Sequence, residues 1–257
     1  MDVRKIAIVG KMHSGKSTLA KMLTNQGFER FAFADPVKEA AAEMLTAFVH
    51  YLDTDSAADY TTDDMNRMKG HPAIRGLLQL AGTELGRDWH GPDSIWIDLF
   101  EKRVNDHIRS VEATNAGSFF VDRAGNKTDP FSIYIVCDDC RFSNEAERLR
   151  EMDFLVVKLV RDEYERLASV RDAVQRDNPD LVPYDIDQRV EKMLSRPSET
   201  NVDLIEADFN MRNGSIAHLE LLAGILTAPN FDKKLIVETL NMVWAVNAAL
   251  DNYLELL

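Results

Sequence analysis

An apolar run, Ile6-Ala7-Ile8-Val9, opens directly into Gly10-Lys11-Met12-His13-Ser14-Gly15-Lys16-Ser17, and a helical pattern follows. The eight residues form a complete G-x-x-x-x-G-K-[ST] loop, and the flanks are what give the string its meaning. A strand, a glycine-containing loop and a helix N-terminus in that order aim backbone N–H groups at one point, where phosphate oxygens can be held. Gly10 and Gly15 permit the turn, and Lys16 reaches the β- and γ-phosphates as a partly solvated ligand. The Ser17 hydroxyl can ligate Mg²⁺. Leu19, Met22 and Leu23 then share one helical face, as expected of a helix packed on a sheet. Gly10, Lys11, His13, Ser14, Gly15, Lys16, Ser17 and Thr18 are the candidate donor-nucleotide residues, with ATP and Mg²⁺ as the implied cofactors.

The chain of 257 residues carries a net charge of −13, which excludes a nucleic-acid backbone as the main partner because phosphate tracking needs a basic face. Nucleotides remain compatible, since a few local arginines can hold a few phosphates. No apolar run approaches a membrane span and no leader pattern opens the chain, so a cytoplasmic protein is expected. Cys137 and Cys140 make a lone C-x-x-C with Asp138-Asp139 between them. Further zinc ligands at a suitable spacing are missing, and the pair reads as two small semi-buried residues.

Read in order, residues 3–9 form a buried strand and the loop helix runs to about residue 26. Phe31-Ala32-Phe33-Ala34 reads as a second strand, with Asp35 as N-cap and Pro36 as first residue of the helix after it. Residues 51–72 turn acidic and polar, as in a surface excursion. A helix from about Trp96 reaches about Ser110, and 115–130 read as a hairpin or exposed loop. Asp122–Gly125 and Asn126–Asp129 match D-x-x-G and N-K-x-D, but abut in one polar turn and not on separate strand ends. A GTPase reading therefore fails.

Residues 132–137 and 154–160 are further strands, 206–210 a short last one, and Ser143 and Ser215 cap helices. Residues 161–196, rich in arginine and aspartate, have the character of a mobile lid. After Pro229, residues 231–257 form an amphipathic helix with a stripe through Leu240, Val243, Val246, Leu250, Tyr253, Leu254 and Leu257. Strands alternating with helices predict an α/β fold, a three-layer α/β/α sandwich on a parallel sheet. The expected organisation is a P-loop domain over 1–226, with a substrate-binding insertion at about 36–110 and a lid at about 161–200. The extension at 227–257 must bury its stripe on the chain's own core or on a partner, and docking on a partner, such as a second copy in a homodimer, is the expectation.

An apolar strand ending in acid is the arrangement in which a carboxylate orients Mg²⁺, and here Asp138 and Asp139 compete for that role. Arg75, Arg87 and Arg141 stand beside element ends, where a fixed guanidinium could clamp an acceptor phosphate.

Several stretches resemble the bacteriophage deoxynucleoside monophosphate kinases in their order. They are Phe33-Ala34-Asp35-Pro36-Val37-Lys38, Leu78-Gln79-x-x-Gly82-Thr83-Glu84, Asp139-Cys140-Arg141-Phe142-x-Asn144-Glu145-Ala146, Ser198-Glu199 and Asn213-Gly214-Ser215. The likeness spans about residues 3–226 and implies an adenylate-kinase-like fold that transfers the γ-phosphoryl of ATP to a deoxynucleoside 5′-monophosphate. By that resemblance Asp35, Lys38, Arg75, Gly82, Thr83, Arg87, Trp96, Asp139, Arg141 and Glu145 line the acceptor site. Lys16, Asp139 and Arg141 are catalytic, Ser17 and Asp139 hold the metal, and Asn213 and Gly214 lie near the adenine. It favours Asp139 over Asp138. Two alternatives stay open: a P-loop kinase of another small metabolite, of the dephospho-coenzyme A or phosphomevalonate type, and a non-catalytic nucleotide switch.

Overall fold

A computed structural model describes residues 2–52, 59–82, 95–115, 120–121, 127–128, 132–228 and 232–254, with the backbone alone at 120–121, 127–128 and 246–254. The chain divides into two compact units, one of residues 1–30 and 119–257, the other of residues 31–118.

The first unit is built on five parallel strands, β1 (Asp2–Val9), β2 (Glu29–Arg30), β5 (Ser132–Cys137), β6 (Leu155–Val160) and β7 (Phe209–Arg212). Their order across the sheet is β2-β5-β1-β6-β7, so β1 is central and its partners come from either side of it. Ile6, Ala7, Ile8 and Val9 are all fully buried, which requires cover on both faces of the sheet. Ile6 and Ile8 join Leu19 and Leu23 of α1 (Lys16–Thr24) and Leu222 and Leu226 of α10 (Ile216–Leu226) in one apolar cluster. Helix α6 (Ser143–Glu151) packs on β6. This is the parallel α/β fold with flanking helices that the alternation of elements predicts. A two-stranded antiparallel ribbon, β3 (Phe120–Val121) with β4 (Lys127–Thr128), realises the expected hairpin.

Several boundaries differ from expectation. The second strand is Glu29–Arg30, not Phe31–Ala34, and helix α2 (Ala34–Leu52) begins before Asp35. The reason is local: the Asp35 carboxylate accepts from the Ala32 N–H, and the Asp35 N–H donates to Ala32 O, so the aspartate closes the entry turn from inside the helix. The last strand sits at 209–212, because Asp208 brackets Val156, accepting from its N–H and donating to its carbonyl. Pairing then starts at Phe209 opposite Val157. Residues 161–196 hold two helices, α7 (Glu163–Asp177) and α8 (Pro183–Leu194). Asp162 caps the first through the N–H groups of Tyr164 and Glu165, and Pro183 opens the second.

The second unit is helical: α2, α3 (Thr62–Met68), α4 (Pro72–Gln79) and α5 (Ile95–Asn115). The polar stretch read as an excursion contains α3, closed by a reciprocal cap between Thr61 and Asp64. It buries Met65 against Ala41 and Ala42 of α2. Phe33 stacks on Phe100 with centroids 4.2 Å apart, and Arg103 pairs with Glu39 at 2.7 Å.

Helix α11 (Lys233–Leu254) is capped by Asp232 and lays the first half of its stripe on the chain's own core. Ile236 and Leu240 are buried in the cluster with α1 and α10, and Trp244 meets Phe209 edge-on at 5.6 Å. The later stripe residues Val246, Leu250, Tyr253, Leu254 and Leu257 lie outside the described side chains. None of the described helices is long and apolar enough to cross a membrane.

Leu240→Ala should remove about 2–5 kcal/mol of stability by leaving a cavity between α11 and the sheet. Urea unfolding at constant slope measures it, and a loss below about 1 kcal/mol would show that α11 is not part of the core.

Candidate functional site

The loop between β1 and α1 is drawn tight by contacts that only glycine allows. A side chain on Gly10 would stand 2.5 Å from Ser14 Oγ and 2.7 Å from Leu159 O. One on Gly15, whose φ is 102°, would stand 2.6 Å from Asn213 Nδ2. Helix α1 starts at Lys16 with no side-chain cap on its first turn, so its leading N–H groups are left to an anion. Ser17 and Thr18 stand exposed on that turn.

Lys16 is not partly solvated, as the sequence suggests, but 8% exposed. Its ammonium donates to Gly10 O at 2.5 Å and Lys11 O at 2.8 Å. Burial first, then the charge of Arg141, lowers its pKa to about 8, while Glu199 and Asp138 act to raise it. His13, in the left-handed region with φ 61°, has its pKa lowered by burial and by four cations, Arg161, Arg166, Lys16 and Arg176. A strongly acidic protein thus concentrates positive charge at one loop.

The arginines come from the carboxyl ends of the two strands beside β1 and from α7. Arg141 follows β5 and Arg161 follows β6; parallel strands bring both to the edge that carries the loop. Arg161 Nη1 donates to His13 O at 3.3 Å and Arg166 Nη1 to Met12 O at 3.5 Å. Arg166 is held bidentate by Glu163 at 2.7 and 2.9 Å, which raises its pKa. Sequence reading placed both only in a general lid group; the place of Arg161 at a strand's carboxyl end was the available signal.

Glu199, on the short helix α9 (Pro197–Thr200), is the residue whose role sequence reading missed. It is 2% exposed, accepts from the Met12 N–H at 2.8 Å and from Arg141 Nη1 at 2.9 Å. Glu145 is tied to the backbone of Arg141. Its buried carboxylate accepts from the N–H groups of Arg141 and Phe142, closing the entry to α6, while Ser143 is already helical.

The two strand-end acids separate. Asp138 is buried, paired with Arg30 at 2.7 Å, and its charge is felt at Lys16. The half-buried Asp139 accepts from the Cys137 thiol at 3.5 Å. Both cysteines are buried thiols whose pKa burial raises, so they are unreactive packing residues, as expected.

Lys11 pairs with Asp203 at 2.8 Å. Asn213 is buried beside the loop, and its Nδ2 donates to Ser14 O at 2.8 Å. Gly214, exposed, donates its N–H to His218 Nδ1. In the helical unit, Asp35 pairs with Lys38 at 3.2 Å, the Trp96 indole donates to Gly82 O at 2.9 Å, and Arg75 is exposed on α4. Thr83 and Arg87 lie outside the described residues.

The donor set fits a polyphosphate: a buried ammonium, an uncapped helix start, and Ser14 Oγ buried without a hydrogen-bond partner among the described residues. Among the described residues no three His, Cys, Asp or Glu side chains converge as a metal cage. That is compatible with Mg²⁺, which takes one or two protein ligands and the rest from phosphate and water.

No model of a known protein family and no curated protein matches the chain. Among solved structures it is similar to TT1252 from Thermus thermophilus, at 15% identity and TM-score 0.39, over 90% of this chain and 100% of that one. It is also similar to dephospho-CoA kinase from Campylobacter jejuni, at 12% identity and TM-score 0.39, over 85% and 93%. Likeness of that degree carries no argument about substrate or activity.

Because Lys16 must be charged to hold a phosphate, ATP affinity should be level near pH 7 and fall as pH rises through about 8, the pKa of the free protein. The bound anion raises that pKa, so binding takes up a proton above it and weakens by up to about tenfold per pH unit. Calorimetric titration of ATP across this range tests it. Lys16→Arg should abolish the slope; a wild-type affinity that stays level to about pH 9.5 would refute it.

Proposed function

We propose that the protein is a phosphotransferase that moves the γ-phosphoryl group of ATP to a deoxynucleoside 5′-monophosphate, giving ADP and the diphosphate. The observation that carries this reading is the convergence of Lys16, Arg141, Arg161 and Arg166 around one uncapped helix start. Holding a nucleotide needs the loop and its lysine. Further guanidiniums are what a transferred phosphoryl group needs, since charge spreads over its oxygens in the transition state.

In this reading the loop N–H groups and Lys16 hold the donor's β- and γ-phosphates, and Arg161 and Arg166 cover them. Arg141 grips the acceptor phosphate, whose oxygen attacks the γ-phosphorus in line while the bond to the β-phosphate oxygen breaks. Mg²⁺, when bound, neutralises charge on the bridging phosphates. Ser17 would hold it, with Asp139 as the orienting carboxylate by the resemblance, while Asp138 is buried and paired with Arg30. Asn213 and Gly214 are assigned to the adenine side. Asp35, Lys38, Arg75, Gly82 and Trp96 of the helical unit are assigned to the acceptor by the resemblance.

A coupled assay of ADP release across deoxy- and ribonucleoside monophosphates, with dephospho-coenzyme A and phosphomevalonate alongside, tests the substrate class. Turnover confined to the last two would overturn the nucleotide assignment, and no turnover at all would leave a nucleotide switch.

Lys16→Met should lower kcat at least about a hundredfold, on the order of 3 kcal/mol of transition-state stabilisation, without unfolding the protein. Near-normal turnover in a folded variant would remove the loop from the chemistry. Arg141→Lys loses a bidentate grip and should raise the monophosphate KM about ten- to a hundredfold with little change in ATP affinity. An equal loss of ATP binding would move Arg141 to the donor side.

A further inference from the structure

We propose that Glu199 is a positioning residue that registers Arg141 against the P-loop, so that the guanidinium is held ready for the acceptor phosphate; this rests on the phosphotransferase reading. The carboxylate is 2% exposed, and its two oxygens serve different partners. Oε2 accepts the Met12 N–H at 2.8 Å and Oε1 accepts Arg141 Nη1 at 2.9 Å. A buried carboxylate needs such partners, and here one is the loop backbone itself. The loop therefore anchors Glu199, and Glu199 in turn anchors the arginine.

The contact engages a single nitrogen of Arg141. The Nε–Nη2 edge, the side suited to two phosphate oxygens, is left out of the pair. Arginine is long and rotamer-rich, so a fixed contact at Nη1 removes disorder that substrate binding would otherwise have to remove. The Arg141 backbone is held as well, its N–H donating to Glu145 at 2.8 Å. Both ends of the side chain are thus set before any ligand arrives. Met12 is also the loop residue whose carbonyl meets Arg166 of α7. The stretch from α7 to α9 thus grips one loop residue, Met12, from both of its ends, through Arg166 of α7 and Glu199 of α9.

Glu199→Gln keeps the shape and can keep the Met12 N–H, but it turns an amide donor toward the guanidinium. It should raise the monophosphate KM about tenfold and lower kcat, with the ATP dissociation constant changed less than about threefold. In an Arg141→Met background the same substitution should change KM less than about twofold, because its effect runs through Arg141. Glu199→Asp, which retains the charge but is too short to span both partners, should show the same dependence on Arg141.

Equal penalties in both backgrounds, or a loss confined to melting temperature or ATP affinity, would overturn the proposal. So would failure of both Glu199 variants to fold. Should the wild type transfer to no monophosphate, the phosphotransferase reading fails separately. The cycle is then read with inorganic phosphate titrated onto ADP-loaded protein by phosphorus NMR. Weakening by Glu199→Gln only when Arg141 is present would uphold the positioning role; equal weakening in both backgrounds, or none, would overturn it.

Discussion

Lys16 carries an ammonium group into the protein interior at the end of a strand that is itself buried, and a charge there must be answered. The answers are two loop carbonyls in direct contact and the acidic groups Glu199 and Asp138 nearby. Each of those acids is then shared with an arginine, Arg141 in one case and Arg30 in the other. The site therefore alternates positive and negative groups around the buried ammonium. Positive charge predominates at the loop, so an anion completes the alternation.

The sheet makes this possible. In a parallel sheet every strand delivers its carboxyl end to the same edge, and ligands gather where connections leave a central strand in opposite directions. Here β1 lies between β5 and β6, so Arg141 and Arg161 arrive on the two sides of the loop although 20 residues apart in sequence. The end of β1 that leads into the loop, Ile6–Val9, is buried on both faces of the sheet and is close-packed there. Helix α11 extends that packing by covering β7 and α10 with Ile236, Leu240 and Trp244. The outer end of the sheet is therefore closed by the chain itself over the described part of that helix.

The helical unit shows a different logic. Its polar stretch around Asp63 and Asp64 looks unlike core, yet one capping motif and one buried methionine suffice to fold it as α3 against α2. Composition averages over a segment, whereas packing asks only for a side chain at the right point on a helix. In residues 161–196, likewise, charged side chains are paired along and between helices, as in Arg166 with Glu163 and Arg171 with Asp187.

The order of strands and helices, the phosphate loop and the buried character of Cys137 and Cys140 were legible in the sequence because each depends on local pattern: apolar runs, glycine placement, period. Lys16 and Arg141 could be named for the same reason. What each side chain touches was not legible. That Asp138 pairs with Arg30 while Asp139 accepts from the Cys137 thiol depends on how the chain leaves β5, and Glu145 turns back to a helix entry that its i+3 spacing permits but does not require. Glu199 lies 187 residues from Met12 and 58 from Arg141, and no periodicity connects them. Only the tertiary structure decided that contact, because a carboxylate is drawn to whichever donors the folded sheet and the helices after β6 bring within reach.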